Sequence, residues 1–111
     1  MYGTWRGRIV AYDRELSVEL HVDSDGAAVT LEDQPVDDME VWVLSPDFLL
    51  GMFDSAIPTP DNAKYPCRSR LAVLREEDRL HGAVVSVGSL EDRAGHYELP
   101  AWTELQRFPG D

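Results

Sequence analysis

Apolar and polar residues alternate in short runs along almost the whole chain, and turn-forming residues separate the runs. In the first, Trp5, Gly7, Ile9 and Ala11 share one side, while Arg6, Arg8, Val10 and Tyr12 share the other. The second is the cleanest: Leu16, Val18, Leu20 and Val22 alternate with Glu15, Ser17, Glu19 and His21. A period of two is that of a strand with one face buried and one wet. Ser24-Asp25-Gly26 reads as a tight hairpin turn, with Gly26 free to take positive φ, and Val29 and Leu31 continue the inward face. Glu32-Asp33-Gln34-Pro35 breaks the pattern. Met39, Val41 and Val43 then alternate with Glu40, Trp42 and Leu44, and Ser45-Pro46-Asp47 turns the chain.

Phe48 to Phe53 predicts a short apolar strand, with Gly51 marking a bend or a close backbone approach. Asp54 to Pro66 holds Pro58, Pro60 and Pro66 and reads as a surface loop. Leu71 and Val73 centre the next strand, Glu76-Glu77-Asp78 turns it, and Leu80, Gly82 and Val84 share a face of the strand after. Ser89 to Gly95 is a charged loop. The last strand runs from His96 to Arg107, and Pro100, which donates no ladder hydrogen bond, implies a bulge or an edge position there. Short connections make sequential strands pair as a meander. The predicted fold is all-β: an up-and-down antiparallel barrel of roughly eight strands, a number at which side chains fill the interior or leave room for one small ligand. An eight-stranded β-sandwich is the alternative. The first and last strands are expected to be neighbours, which removes exposed sheet edges.

The chain has 111 residues, the size of a single domain spanning 1–111, whether whole or cut from a longer protein. An apolar fraction of 43% excludes wholesale disorder. The formal charge of -11 disfavours nucleic acid and anionic membranes as partners. No apolar run approaches the ~18 residues of a spanning helix, and the N-terminus carries no secretory signal pattern. The compartment stays open, because Cys67 is the single cysteine and forms no internal disulfide.

Two resemblances involve the chain's ends. Gly3-Thr4-Trp5 is similar to the Gly-x-Trp that opens the first strand of the lipocalin and fatty-acid-binding barrels, the calycins. There, an arginine on the last strand packs across the tryptophan, and Arg107 occupies that place here. The chain departs from lipocalins in its shorter length and in lacking a long lid loop, a disulfide and a C-terminal helix. The second set comprises Trp5-x-Gly7-x-Ile9, Glu15 to Leu20, Leu80-x-Gly82, and Tyr97-x-Leu99-Pro100-x-Trp102-x-x-Leu105. It resembles small lipocalin-like domains appended to microbial serine hydrolases, peptidases and β-lactamase-like proteins among them. That resemblance implies an accessory module whose catalytic serine belongs to another domain.

The chemical motifs are sparse. His21, His81 and His96 lack the local spacing of a metal site. His21 to Gly26, with Glu32, imitates a calcium loop, but histidine stands where the first aspartate belongs and a hairpin turn accounts for the same residues. No serine sits in a Gly-x-Ser-x-Gly elbow; Ser86 and Ser89 read as strand end and loop. The acid clusters Asp37-Asp38 and Glu76-Glu77-Asp78 lie at turns, where carboxylates are solvated. No cofactor, metal or catalytic residue is assigned.

Of the aromatics, Trp5, Phe48, Phe53, Tyr97 and Trp102 are expected at inward positions. The first functional expectation is a non-catalytic module that contacts a hydrolase domain or another subunit, a second copy included. Outward Val10, Tyr12, Trp42 and Leu49 would supply its apolar patch. The alternative is a carrier of a small apolar ligand, bound by Phe48, Leu50 and Met52 with Leu20 and Val84 opposite. An enzyme with a dispersed site is the third reading.

Overall fold

The computed structural model describes residues 1–12, 14–55, 67–89 and 96–108, without the side chains of Ser55, Ser89, His96 and Tyr97. Of the loops expected at Asp54 to Pro66 and Ser89 to Gly95, residues 56–66 and 90–95 lie outside the described residues, as does the side chain of Tyr97, whereas Asp54, Ser55 and Ser89 belong to strands. Nine strands follow one another: β1 (Gly3–Ala11), β2 (Arg14–Asp23), β3 (Gly26–Leu31), β4 (Gln34–Pro35), β5 (Asp37–Leu44), β6 (Phe48–Ser55), β7 (Cys67–Glu76), β8 (Arg79–Ser89) and β9 (His96–Arg107). They form one sheet in the order β4-β3-β2-β1-β9-β8-β7-β6-β5, antiparallel throughout. This is an up-and-down meander rolled into a nearly closed barrel, and the single continuous sheet overturns the sandwich alternative.

The chain's ends meet inside the sheet: β1 pairs with β9 from Trp5↔Arg107 to Val10↔Trp102. The seam lies elsewhere, between β4 and β5, which are consecutive in sequence. Pro35 closes β4, and the Val36 N–H then donates to the Val29 carbonyl at 2.9 Å. Gly26 of β3 faces Val41 of β5 across the gap. Pro100 sits beyond Val10↔Trp102, where β9 pairs with β8 alone, so its missing donor costs no β1 bond.

The ninth strand is the two-residue β4. The sequence reads its neighbourhood as a break, because Glu32-Asp33 lacks the glycine or asparagine of a hairpin turn. Both nevertheless take positive φ, 49° and 65°, as a type I′ turn requires. Ser17 supports them: its carbonyl accepts the Glu32 N–H, and its hydroxyl donates to the Glu32 carboxylate at 3.0 Å.

Inward residues of β1, β2, β7, β8 and β9 fill the interior. Trp5, Ile9, Leu20, Val22, Val73, Leu80, Val84 and Leu105 are buried together, and the Ser69 and Ser86 hydroxyls hydrogen-bond at 2.9 Å among them. β6 departs from expectation. Leu49 and Phe53 are buried in the core, and Phe48, Leu50 and Met52 are half-buried on the opposite face. The run is apolar at nearly every position, so alternation does not set its phase; pairing with β7 does, through Leu49↔Val73 and Gly51↔Leu71. In β5 the register shifts between Val41 and Val43. Trp42 and Val43 are consequently both exposed, and Leu44 packs on the core in place of the expected Val43. Trp102, expected inward, is 67% exposed, because Ala101 and Thr103 take the inward positions.

Glycine permits the tightest strand contacts. A Cβ at Gly7 would collide with the Glu104 carbonyl, and one at Gly82 with the Ala72 carbonyl. Both colliding groups are backbone on a neighbouring strand and cannot rotate away. At these places the wall bends so sharply that the adjacent strand occupies the side-chain position.

Trp5→Ala should cost roughly 3–5 kcal/mol, the range for a buried aromatic. Glu19→Ala, which removes only an exposed ion pair with Arg6, should cost at most about 1 kcal/mol. Gly82→Ala should destabilise by about 1–3 kcal/mol or more although it adds one methyl group. Urea denaturation of the three variants checks the order, and equal losses at Trp5 and Glu19 would contradict the inward face of β1.

Candidate interaction surface

Leu20 and Val84 carry no accessible area, and neither do Trp5, Leu49, Phe53, Val73 and Leu80. A side chain that lines a cavity large enough for water keeps some accessible area. The interior around Leu20 and Val84 is therefore packed solid, and Phe48, Leu50 and Met52 do not face them. The five residues proposed to share a ligand are divided between the core and the outside of the wall.

Where the chain's two ends meet, the Arg107 guanidinium lies 4.5 Å from the Trp5 ring centre and donates to the Tyr2 carbonyl at 2.9 Å. The Trp5 indole N–H donates to the Met1 carbonyl at 3.0 Å. A buried indole thus has its one donor satisfied and its face covered by a cation. Beside it, Arg6 lies over the Phe108 ring at 3.7 Å. These contacts tie both chain ends together and leave no open chemistry.

The outside of the wall is different. Following the pairings from β5 to β1, directly opposed residues are Val43, Leu50, Ala72, Ala83, Trp102 and Val10. Directly opposed residues project from the same face of a sheet. Leu50, Ala72, Trp102 and Val10 each stand between two buried residues, Ala83 precedes buried Val84, and Val43 is itself exposed, so the row lies on the outside of the wall. Neighbouring strands lie about 4.8 Å apart, so the row extends roughly 24 Å across six strands. Apolar side chains flank it: Val85 and Met52 on one side, Leu74 and Phe48 on the other, with Leu74 half exposed at 50%. Trp102, one strand in from the β1 end of the row, and Trp42, beside its β5 end, are the large exposed aromatics of this belt. The expected patch is thereby relocated. Val10 and Trp42 belong to it, Leu49 is buried, and Leu50 takes its place.

Sequence reasoning missed Ala72, Ala83 and Val85. The available signal was that Leu71-Ala72-Val73-Leu74 and Ala83-Val84-Val85 are apolar in both phases of the strand. In a barrel wall only one phase faces the core, so apolar residues in the other phase mark an outside that departs from the wet norm.

Charged residues border the belt. Arg70 pairs with Glu98 at 3.4 Å, Arg68 with Asp54 at 2.9 Å, Arg79 with Glu104 at 3.5 Å and Arg8 with Glu15 at 3.1 Å. Among the described residues, no basic side chain forms an ion pair with Asp37, Asp38 or Glu40 of β5; Glu40, opposite Met52, is the one nearest the row, and Asp37 and Asp38 open the strand. The Trp42 indole N–H donates to the Glu40 carboxylate at 3.3 Å. The Asp38 carboxyl is held above its ordinary 3.8, first by a side-chain hydrogen bond shared with Asp54, then by the negative charges of Asp54 and Asp37. Arg68 draws it back only in part.

The remaining candidates have structural surroundings. His21 Nδ1 lies 2.9 Å from the Thr4 hydroxyl, and His81 Nε2 is 3.5 Å from Glu76. The Asp23 carboxylate accepts the Asp25 N–H at 2.8 Å and so caps the β2–β3 hairpin. Ser86 lies inside β8 and is buried against Ser69. Cys67 opens β7 and is half-buried. Among the described residues no group of three or more His, Cys, Asp or Glu side chains is arranged to hold a metal ion.

Compared with protein-family models, curated proteins and solved structures, the chain matches none.

Asp38→Asn tests the acid cluster. An acid whose folded pKa is raised adds stability below its unfolded pKa and loses that contribution as pH rises through the folded value. The variant, which keeps a residue tolerant of the left-handed backbone at φ 52°, should therefore melt higher than the parent at neutral pH. Its advantage should shrink as pH falls through the raised folded value and be gone below the ordinary 3.8. Thermal melts at neutral and acid pH measure this, and a gap that does not narrow on acidification would contradict it.

Proposed function

We propose that this chain is a non-catalytic barrel module that works by contact, laying its outer apolar wall against a partner domain or subunit. The observation that carries the reading is the row from Val43 to Val10, which includes the exposed Trp102 and is continuous across six strands. Isolated exposed apolar residues are ordinary, but a contiguous patch on an otherwise charged surface marks an interaction site. Exposed tryptophan is the side chain most enriched where contact energy concentrates.

The resemblance of the chain's end motifs to lipocalin-like domains appended to serine hydrolases supplies the candidate partner, a hydrolase domain. On this reading the catalytic serine resides there, and the barrel acts as a lid, a contact surface or a substrate-positioning element. The packed surroundings of Leu20 and Val84 weigh against the carrier alternative, since an apolar ligand of ordinary size needs about 300 Å³ of space.

Sedimentation velocity of the chain, alone and with the hydrolase domain or subunit encoded beside it, tests the reading. A faster-sedimenting complex is expected, and Trp102→Ala should weaken it about 30-fold or more, as loss of a contact hot spot does. Glu19→Ala, on β2 away from the row, should leave it unchanged. A chain with no affinity for its neighbour would overturn the proposal.

A further inference from the structure

Resting on that reading of the wall as a contact surface, we infer the chemistry of its partner: a protein face that is apolar at its centre and bordered by lysine or arginine. Three observations converge on this. The chain carries a formal charge of -11, so a second copy approaching the same wall meets long-range repulsion. The arginines bordering the belt, Arg8 on β1, Arg68 and Arg70 on β7 and Arg79 on β8, are already matched to carboxylates of this chain. What remains uncompensated is acid on β5, where the row ends: Glu40 beside Trp42, with Asp37 and Asp38 further along the strand.

That end pairs two kinds of recognition. The β-bulge turns Trp42 and Val43 outward together, and Glu40 fixes the Trp42 indole through its N–H at 3.3 Å. An arginine or lysine has the matching shape. Its aliphatic stem covers the apolar surface, and its charge reaches the carboxylate; arginine also stacks on an indole face. Complementary charge of this kind governs partner choice and encounter rate, and the apolar belt supplies the contact energy.

Two synthetic amphipathic peptides with the same leucine face test the inference, one flanked by lysines and one by glutamates. Their binding is read from the emission of Trp42 and Trp102 at low and high salt. The lysine peptide should bind and shift the emission to the blue, and its Kd should rise on the order of tenfold from low to high salt. The glutamate peptide should not bind. Glu40→Lys combined with Asp37→Lys, with the fold checked by circular dichroism, should abolish the preference. Trp102→Ala should weaken binding of the lysine peptide.

Equal binding of both peptides would overturn the charge requirement while leaving the contact reading in place. Binding of neither, in a protein that still sediments with its hydrolase neighbour, would likewise overturn only the inference. A concentration-dependent dimer that buries Trp102 would overturn it by assigning the wall to a second copy.

Discussion

The architecture depends on one junction, where the first strand and the last lie side by side with Trp5 opposite Arg107. These residues are a hundred positions apart, so the contact closes nearly the whole chain into a loop. Loop-closure entropy grows only slowly with length, and the junction returns a buried indole, a stacked guanidinium and a continuous ladder. With β1 and β9 joined, each of the seven strands between the two ends of the sheet order has a neighbour on both sides. Only β4 and β5 retain a free edge, and they face each other across a seam that the chain itself bridges at Val36. The weakest place in the barrel is thus also its shortest connection.

Closure has a consequence for function. A barrel of this size, with a tryptophan, a phenylalanine and branched aliphatics pointing inward, is filled by its own side chains. The inside around Leu20 and Val84 is occupied by buried side chains. The proposed contact surface is therefore the outer wall, where the strands from β5 to β9 and β1 place apolar side chains in register. Such a row exists because pairing aligns residues distant in sequence. Val43 and Val10 lie at opposite ends of it, joined by four strands between them.

The fold was legible in the sequence wherever alternation was clean. β2 could be assigned to its faces residue by residue, and the neighbouring of β1 and β9 could be read from Trp5 and Arg107. Legibility ended where alternation did. In β6 both phases are apolar, so the inward residues are decided by β7 and not by the strand itself. In β5 a bulge reverses the phase partway along, and no glycine or proline announces it at Val41 to Val43. Gly51 did carry a signal of close approach: the Glu40 carbonyl occupies the space its Cβ would need. β4 escaped notice because Glu32 and Asp33 reach left-handed conformations through the support of Ser17, a contact between strands that no local pattern records. The outer belt was visible only in fragments, since a surface composed across six strands has no linear motif.

Closure also limits how this protein can meet a partner. A sheet with long open edges recruits extended segments by adding a strand, and the backbone then supplies most of the affinity. Here the ladder is nearly complete, so side chains must supply it. An apolar wall alone would be indiscriminate and would invite aggregation. A large negative charge keeps such a protein apart from its own copies at the distances where encounters begin. On the proposed reading, a partner of opposite charge would not meet that repulsion, and the tryptophans and aliphatics behind the border would come into contact with it. The acidic composition, which says nothing about the fold, would then select which surfaces reach the apolar wall.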